Sequence, residues 1–272
     1  MSMRRAIFIT GGGSGIGRAM AQKFAAQGWF VGLGDIDEGG MAETESLLSN
    51  GFTFSHKFDV RDRDAWDDAL ATFAIASGGR IDAVANNAGV PLAGPLSELG
   101  QEEIDRTLDI NLRGVIYGAQ AAYPWLKKTA PGSCLLNTAS AAALYGMPNQ
   151  SIYGVTKAGV RSLTETLDAE WADDGIAVRS LMPSFIDTPL LEKAPNAQRN
   201  VSIRQVVVDT GLEFTPVEVV AQNAWDAVHH RSKVHWIVGK TARTMSFAAK
   251  WMPSRLRDRG RRMAEKANER ES

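Results

Sequence analysis

Short apolar runs alternate with longer amphipathic stretches along most of the chain. The apolar runs predict strands at residues 5–10, 29–34, 53–58, 82–86, 133–139, 176–181 and 235–238. Apolar positions at helical spacing predict helices near residues 15–27, 39–49, 62–76, 101–129, 151–173 and 216–230. This alternation predicts a parallel sheet covered by helices on both faces, and hence an α/β fold with seven strands.

Residues 184–215 follow the predicted sixth strand and show no firm pattern. Long segments of this kind inside a compact domain are often lids or binding loops. Ligands of parallel sheets bind beyond the carboxyl ends of the strands, so we expect a substrate lid here with one short helix. An ordinary mobile surface insertion is the alternative. We predict a single domain over residues 1–239, followed by a C-terminal extension at 240–272.

A glycine-rich turn follows the first apolar run, AIFI at residues 6–9. It reads TGGGSGIG over residues 10–17 and leads into an amphipathic helix. Strand, glycine turn and helix form the unit that places a helix N-terminus against a pyrophosphate in doubly wound, Rossmann-like sheets. Gly11 would form the turn, Gly15 would let a phosphate approach the backbone, and Gly17 would let helix and strand pack closely. The turn therefore predicts a dinucleotide site.

Asp35 ends the second apolar run, eighteen residues after Gly17. A carboxylate about 20 positions after such a turn is expected to accept hydrogen bonds from an adenosine ribose and to repel a 2′-phosphate. Neither Ser14 nor Ile36 supplies the cation that a 2′-phosphate needs. We therefore predict NAD(H) as the cofactor. Arg18 is a nearby cation that could still approach it, and a solvated strand-end carboxylate is the alternative interpretation of Asp35.

Tyr153 lies thirteen residues after Ser140 and four before Lys157. Helical positions four apart share one face, so the Lys157 ammonium would lie beside the phenol. An ammonium there is expected to lower the pKa of Tyr153 from its usual ~10 towards neutrality. Ser140, from a neighbouring strand end, could hold a carbonyl or alcohol oxygen against the phenol. These residues predict a site that passes a proton to or from a carbinol oxygen.

Together these motifs resemble those of the short-chain dehydrogenase/reductase family, from about residue 4 to residue 239. The matching segments are the turn at 10–17, Asp59-Val60, NNAG at 86–89, Asn111, the Ser140, Tyr153 and Lys157 set, and Thr188. Motifs in this order and at compatible spacing are highly specific, although no one of them would be alone. The resemblance implies the doubly wound fold predicted above and a nicotinamide cofactor.

The resemblance also implies a role for each matched position. Asp59 and Val60 would contact the adenine, Asn111 would order a water near Lys157, and Thr188 would lie beside the nicotinamide carboxamide. The implied cofactor contacts are Gly11, Ser14, Gly15, Ile16, Gly17, Asp35, Asp59, Val60, Asn87, Ala88, Gly89, Tyr153, Lys157, Pro183, Ile186 and Thr188. The implied catalytic residues are Ser140, Tyr153, Lys157 and Asn111.

One position departs from the family pattern, which usually has Pro-Gly where this chain has Pro183-Ser184. Serine can replace glycine where the backbone does not need a positive φ, so this departure bears on the loop geometry and not on the reaction. The implied reaction moves a hydride between NAD(H) and the carbon of a secondary alcohol or ketone, with Tyr153 as general acid/base.

Two other functions stay open. A non-catalytic NAD-sensing or scaffold protein could use the same fold, but it would not need the complete catalytic set. A related epimerase or dehydratase is the other, and the lack of a large C-terminal sugar-binding domain argues against it. The dehydrogenase is the function that the motifs favour.

Side chains just after the motifs are expected to surround the substrate. They are nearly all apolar, and no arginine is among them to bind a carboxylate. We therefore expect a hydrophobic substrate, such as a steroid, retinoid or lipid-like alcohol or ketone. The expected pocket residues are Val90, Leu92, Ala142, Leu144, Met147, Phe185 and Leu190.

Composition narrows the class of protein further. The net charge of −1 argues against nucleic-acid binding by bulk electrostatics. Cys134 is the only cysteine, so no intramolecular disulfide can form, which fits a cytoplasmic location. The histidines form no cluster with carboxylates or cysteine, and we assign no metal. The N-terminal apolar stretch predicts a strand and not a signal peptide, and no apolar run is long enough to span a bilayer.

The C-terminal extension at 240–272 is strongly basic, with ten lysine and arginine residues against four acidic ones. Aromatic residues and methionines precede its arginine-rich part. Such a segment is typical of peripheral contact with an anionic membrane, and a partner-binding helix pair or a solvated tail are equal alternatives. The family resemblance separately implies a homodimer or homotetramer that pairs through the helices at 101–129 and 151–173.

Overall fold

In the computed structural model, which describes residues 4–49, 51–192, 196, 202–209, 213–230 and 233–271, seven strands form one sheet. The strands are β1 (Ala6–Thr10), β2 (Phe30–Asp35), β3 (Thr53–Lys57), β4 (Ala83–Asn86), β5 (Cys134–Thr138), β6 (Ala177–Pro183) and β7 (His235–Val238). All pairs are parallel, in the order β3-β2-β1-β4-β5-β6-β7. This confirms the predicted seven-stranded, doubly wound fold. The strand order reverses at β1 and β4, where ligands of such sheets bind.

Helices cover both faces of the sheet. They are α1 (Gly15–Ala26), α2 (Glu38–Ser46), α3 (Arg63–Ala76), α4 (Gln101–Leu108), α5 (Gly114–Thr129), α6 (Ser151–Glu170), α7 (Ile203–Asp209), α8 (Val217–His229), α9 (Lys240–Trp251) and α10 (Pro253–Glu271). Phe24 of α1 and Ala224 of α8 belong to the core on one face. Phe73 of α3 and Leu126 of α5 belong to the core on the other. Each strand of the sheet's centre is therefore buried on both sides, as its unbroken apolar sequence requires.

The helix predicted over residues 101–129 is interrupted. A π-helical turn at Asp109–Arg113 separates α4 from α5. Within it Asn111 is fully buried, and its side-chain amide exchanges two 2.8 Å hydrogen bonds with the backbone N–H and C=O of Val90. π-turns inside helices frequently mark functional sites. The interruption thus places a polar side chain inward against the loop that follows β4.

The segment at 184–215 is described in part. It contains a 3₁₀ turn at Pro189–Glu192 and the short helix α7, as predicted. Asn196, which is buried, donates a 2.8 Å hydrogen bond to the carbonyl of Ala93 in the loop after β4. Arg204 of α7 forms ion pairs with Asp187 and Glu192. These contacts tie the described part of the segment to the site end of the sheet.

The C-terminal extension folds into helices that we did not predict from the apolar pattern. The helix α9 packs against β7 and near a 3₁₀ turn at Ala141–Ala143. The helix α10 passes over the loop that precedes α6. The contact is close: a Cβ built on the buried Gly260 would lie 3.5 Å from Pro148 Cδ. Within the described residues, the structure contains no helix of sufficient length and hydrophobicity to span a bilayer.

Candidate active site

A cleft of about 910 Å³ opens beyond the carboxyl ends of the strands. Its wall includes the segments that follow all seven strands, which is where ligands of doubly wound sheets bind. Of the cofactor contacts predicted from the sequence, all but Gly17 line this cleft. The structure therefore brings the separate motifs together around one space.

Gly17 has a packing role. A Cβ at this position would lie 2.0 Å from the carbonyl oxygen of Gly11, so no side chain fits between the turn and α1. Gly11 itself has a φ of +67°, in the region that favours glycine. Ser14 precedes α1 without capping it through its side chain, and the first turn holds no acidic residue. The free N–H groups of this helix end fit a pyrophosphate, as predicted.

Asp35 is held at the edge of the cleft by two backbone groups. Its Oδ2 accepts a hydrogen bond from Gly13 N at 2.9 Å, and its Oδ1 accepts one from Asp37 N at 3.1 Å. Arg18, the nearby cation, is occupied: its Nη1 and Nη2 lie 2.6 and 2.8 Å from the carboxylate of Glu43. The guanidinium of Arg18, which also donates to Gly13 O beside Asp35, is therefore already paired with a carboxylate.

The segment after β4 is fixed by hydrogen bonds to the ends of its neighbours. Asn87 donates through Nδ2 to Thr10 O at 3.0 Å, and Thr138 donates to Asn87 Oδ1 at 3.2 Å. The hydroxyl of Thr10 accepts from the N–H groups of Asn87 and Ala88 at 3.0 and 3.1 Å. The floor of the cleft is therefore rigid at the switch point between β1 and β4.

A polar chain beneath this floor was not predicted. Asn86 donates to Asn137 Oδ1 at 2.9 Å, and Asn137 donates to Thr164 Oγ1 at 3.0 Å. All three side chains are buried, so the chain fixes α6 relative to β4 and β5. The sequence signal that could have shown this was an asparagine near the end of an apolar strand run, where a polar residue needs a partner.

At the predicted adenine end, Asp59 is paired with Arg61. The distance from Arg61 Nη2 to Asp59 Oδ2 is 2.6 Å, and this hydrogen bond lowers the pKa of Asp59. Asp59, Val60, Arg61 and Arg106 all line the cleft here. This end of the cleft therefore carries negative and positive side chains close together.

Ser140, Tyr153 and Lys157 face the cleft from two elements. Ser140 follows β5, and its hydroxyl accepts from Ala142 N at 3.2 Å and donates to Pro183 O at 3.5 Å. Tyr153 lies in the first turn of α6. One turn later, Lys157 Nζ donates to Thr138 O at 2.8 Å and lies 5.7 Å from the centre of the Tyr153 ring. The three predicted side chains thus converge on one space.

The expected effect of Lys157 on Tyr153 is wrong for this structure. Burial raises the pKa of Tyr153 above its ordinary value, and a hydrogen bond with Ser140 offsets this only in part. Burial also lowers the pKa of Lys157 to about 8. The ammonium is directed to Thr138 O and not to the phenol oxygen, so it does not draw the phenol's pKa down here. Desolvation is the largest cause of the pKa shift of each group.

Asn111 does not line the cleft. It reaches the site from below, because a Cβ built on Gly89 would lie 3.2 Å from Asn111 Oδ1 and 3.6 Å from Lys157 Nζ. Asn111 and Lys157 therefore flank the same glycine. The position fits a residue that orients the loop after β4.

At the opposite end from the adenine site, six of the seven predicted pocket residues line the cleft. They are Val90, Leu92, Ala142, Met147, Phe185 and Leu190. The seventh prediction, Leu144, is wrong: its side chain packs on the core cluster of Val115, Val160 and Met182 instead. A residue after a motif can turn inward or outward, and here the 3₁₀ turn after Ser140 directs Leu144 to the core.

The C-terminal helices complete this end of the cleft, which we missed. Their contributions are Lys240, Thr241, Thr244, Met245, Ala248, Leu256 and Arg259. These helices add one arginine, Arg259, to the apolar pocket residues predicted from the sequence, and its side chain is exposed. The spacing of Thr241, Met245 and Ala248 is that of one helix face and was the available signal.

Lys157 is expected to destabilise the unliganded protein. Its pKa is lowered from 10.5 to about 8, so the burial penalty is fully present below pH 8 and disappears as the pH rises past 10.5. Lys157→Met removes the charge and loses one hydrogen bond to Thr138. We expect a net gain in unfolding free energy of about 2 kcal/mol at neutral pH.

Thermal unfolding of the unliganded proteins at neutral pH measures this gain, with Lys128→Met as the matched control because Lys128 is exposed. We expect Lys157→Met to unfold several degrees above the wild type. We expect Lys128→Met to unfold at the same temperature as the wild type. A lower melting temperature for Lys157→Met would show that the hydrogen bond outweighs the burial of the charge.

Comparisons with known proteins agree with this geometry. A family profile described as short chain dehydrogenase matches residues 5–199. The chain is 34% identical over 219 residues to 3-oxoacyl-(acyl-carrier-protein) reductase FabG of Thermotoga maritima, covering 79% of this chain and 86% of that protein. It is 33% identical over 235 residues to 3beta-hydroxysteroid dehydrogenase 1 of Eggerthella lenta, covering 85% and 89%.

A solved structure is also similar. The 3-ketoacyl-(acyl-carrier-protein) reductase from Brucella melitensis, complexed with NADH, superposes with a TM-score of 0.72 at 28% sequence identity. The match covers 83% of this chain and 91% of that one.

Proposed function

The chain belongs to the short-chain dehydrogenase/reductase family, and we propose that it transfers a hydride between NAD(H) and the carbon of an apolar secondary alcohol or ketone. The observation that carries this proposal is the convergence of Ser140, Tyr153 and Lys157 on one wall of a cleft whose other end receives the N-terminus of α1. A proton-transfer group and a dinucleotide site thus share one space.

A nicotinamide cofactor, when bound, would supply the hydride chemistry of the reaction. The hydroxyl of Ser140 holds the substrate oxygen. Tyr153 donates its phenolic proton to that oxygen in reduction and accepts it back in oxidation. A positioned acid of this kind typically contributes about 10²–10⁴-fold. The raised pKa of Tyr153 keeps the phenol protonated at neutral pH, ready for reduction.

Lys157 and Asn111 support this step. Lys157 is charged below its pKa of about 8, and its Nζ lies 5.7 Å from the centre of the Tyr153 ring, where it would attract a phenolate formed in the reaction. Asn111 fixes the backbone of Val90 through both of its amide atoms and so shapes the wall beside Gly89. We assign Lys157 a catalytic role and Asn111 a positioning role.

We propose NAD(H) over NADP(H) on the surroundings of Asp35. The carboxylate of Asp35 would repel a 2′-phosphate, and Arg61, which lines the same end of the cleft, is paired with Asp59. Arg18 is paired with Glu43. The similar reductase from Brucella melitensis forms a complex with NADH.

We propose an apolar substrate on the lining of the other end. Leu92, Met147, Phe185 and Met245 are among the residues there, while the charged side chains Glu213, Lys240 and Arg259 are all exposed. In a mostly apolar pocket, a few polar groups gathered at one place bind the polar atom of the ligand and so fix its orientation. The 3beta-hydroxysteroid dehydrogenase of Eggerthella lenta, a protein similar over most of this chain, acts on a compound of this class, as its name states.

A screen of alcohols and ketones with NAD(H) and NADP(H), followed by NADH or NADPH absorbance, tests the function. We expect turnover of apolar ring or long-chain secondary alcohols and ketones with NAD(H), and little with small charged ones. Turnover confined to small charged substrates would overturn the substrate class. NADH binding without turnover of any member of a broad panel would favour the NAD-sensing scaffold.

Assembly, location and domain limits complete the proposal. We propose a homodimer or homotetramer that pairs through α5 and α6, where Ile116 and Val155 are exposed.

We propose a cytoplasmic location, which the single cysteine, Cys134, supports because it leaves no intramolecular disulfide. Residues 1–239 would form the dinucleotide-binding and catalytic domain, with the segment at 184–215 as its substrate loop.

A further inference from the structure

The C-terminal helices carry most of the chain's positive charge imbalance. Residues 240–272 hold ten lysine and arginine residues against four acidic ones, whereas residues 1–239 hold 20 against 27. Between residues 240 and 262, where side chains are described, eight basic residues face solvent and Asp258 is the only acidic residue. A molecule with this asymmetry is oriented by an anionic surface, because its body is repelled and its extension attracted.

The outer face of α9 is apolar as well as basic. Phe247 and Trp251 lie one turn apart and are 59% and 64% exposed, which is unusual for side chains of this size. Arg243, one turn earlier, and Lys250 are exposed beside them. Aromatic residues flanked by lysine and arginine on one helix face are typical of helices that lie in a membrane interface.

The inner face of the same helix is part of the cleft. Met245 and Ala248 line the substrate end from α9, and Leu256 lines it from α10. Tyr145, next to the 3₁₀ turn after Ser140, donates a hydrogen bond to Pro253 O at 3.4 Å and so links the helix pair to the catalytic side. The surface that bears Phe247 and Trp251 therefore lies directly behind the wall of the substrate end.

We propose that α9 and α10 dock the protein on an anionic phospholipid surface, with Phe247 and Trp251 inserted, and that an apolar substrate enters the cleft from the lipid. Docking rests on the exposed aromatic and basic side chains alone. Substrate entry rests in addition on the proposed function, because it requires an apolar substrate in the same cleft.

The exposed aromatic pair favours a membrane over other anionic partners. The basic residues alone would suit a nucleic acid or an acidic protein equally well. Phe247 and Trp251, however, would remain in water on a nucleic-acid duplex, whose bases are already stacked, whereas an acyl-chain boundary buries both. Each basic residue near the surface adds affinity of about fivefold, and this part weakens as salt rises.

Co-sedimentation of the full chain, loaded with NADH, tests docking at physiological salt. The vesicles are phosphatidylcholine with phosphatidylserine, and phosphatidylcholine alone. We expect binding to the anionic vesicles, and a loss of about tenfold or more in affinity for the double variant Phe247→Ser/Trp251→Ser. Ile75→Ser is the matched control, since Ile75 is 83% exposed on α3, and we expect it to bind like the wild type.

A charge variant separates the two contributions. Arg255→Gln/Arg261→Gln/Arg262→Gln removes three exposed charges outside the cleft lining, and we expect a large loss on anionic vesicles. Absence of wild-type binding to anionic vesicles overturns the proposal, as does equal binding to both vesicle types. Retention on nucleic acid instead would identify that partner, and self-association lost in the aromatic variant would identify a contact between copies.

Turnover measured in two formats separates docking from the reaction. An apolar alcohol that the wild type oxidises is supplied either in anionic vesicles or in a cyclodextrin solution. We expect the aromatic variant to lose kcat/KM about tenfold or more with vesicles and to match the wild type in solution. If the aromatic variant loses kcat/KM equally in both formats, or loses it in neither format, entry of the substrate from the lipid is overturned. No turnover by the wild type in either format would overturn the proposed function and leave the docking result intact.

Discussion

Tyr153→Phe is expected to lower kcat by about 10²–10⁴-fold while NADH affinity changes by no more than about tenfold. The phenolic hydroxyl is the proposed acid and faces the cleft beside Ser140, and phenylalanine keeps the aromatic ring and its packing. Because the ring stays in place, the dinucleotide end of the cleft is unaffected. The variant therefore separates the loss of an acid from the loss of a fold.

Single-turnover and steady-state rates with a substrate from the screen measure the effect, and NADH fluorescence measures binding. Tyr123→Phe is the matched control, because it removes the same hydroxyl from a tyrosine outside the cleft lining, where it donates to Asp174. We expect that control to turn over like the wild type. Rates near those of the wild type for Tyr153→Phe would remove Tyr153 from the mechanism.

The cofactor end could be predicted because its constraints are local. A turn that needs a positive φ at Gly11 and no Cβ at Gly17 restricts the sequence to glycine at both positions. The position of Asp35 relative to the glycine turn follows from the length of the one helix and the one strand between them. In each case a few neighbouring residues determine the geometry, so the sequence alone is sufficient.

The pKa of Tyr153 could not be predicted in this way. Its direction depends on desolvation at the wall of the cleft, which is built from segments distant in sequence. The i, i+4 spacing with Lys157 places the two residues on one face, but it does not determine where Nζ points. Thr138, nineteen residues away, accepts its hydrogen bond and decides that direction.

The C-terminal helices show a second limit. The helix α10 is polar along nearly all of its length, so an apolar pattern cannot reveal it. Its place is determined partly by a close approach between Gly260 and Pro148, which are over a hundred residues apart. The same approach puts Arg259 and Leu256 at the cleft, and no local motif marks them.

The interruption of the predicted helix at 101–129 has a related cause. Asn111 finds both of its hydrogen-bond partners in the backbone of Val90, and the helix takes a π-helical turn where it reaches them. A buried amide that satisfies two backbone groups can offset the weaker hydrogen-bond geometry of such a turn. Sequence periodicity continues through the turn and therefore conceals it.

Asp35→Ser is expected to lower the ratio of kcat/KM for NAD over NADP by roughly 10–150-fold, the range that corresponds to the loss of a hydrogen bond to a charged group. The carboxylate is held at the cleft edge by the N–H groups of Gly13 and Asp37, where it can accept from ribose hydroxyls. Serine removes the charge that repels a 2′-phosphate. Adding Ile36→Arg supplies a cation, because Ile36 is 62% exposed beside the cleft, and should invert the preference.

Initial rates with NAD and NADP at several concentrations measure this ratio, and thermal unfolding checks that each variant is folded. Glu38→Gln is the control for general charge, since Glu38 is an exposed carboxylate nearby whose partner is Lys57. We expect Glu38→Gln to keep the NAD preference. If a folded Asp35→Ser variant keeps it too, the selectivity does not come from the carboxylate at the end of β2. In that case the pairing of Arg18 with Glu43, which withholds the only guanidinium bonded to the glycine turn among the described residues, becomes the cause to test.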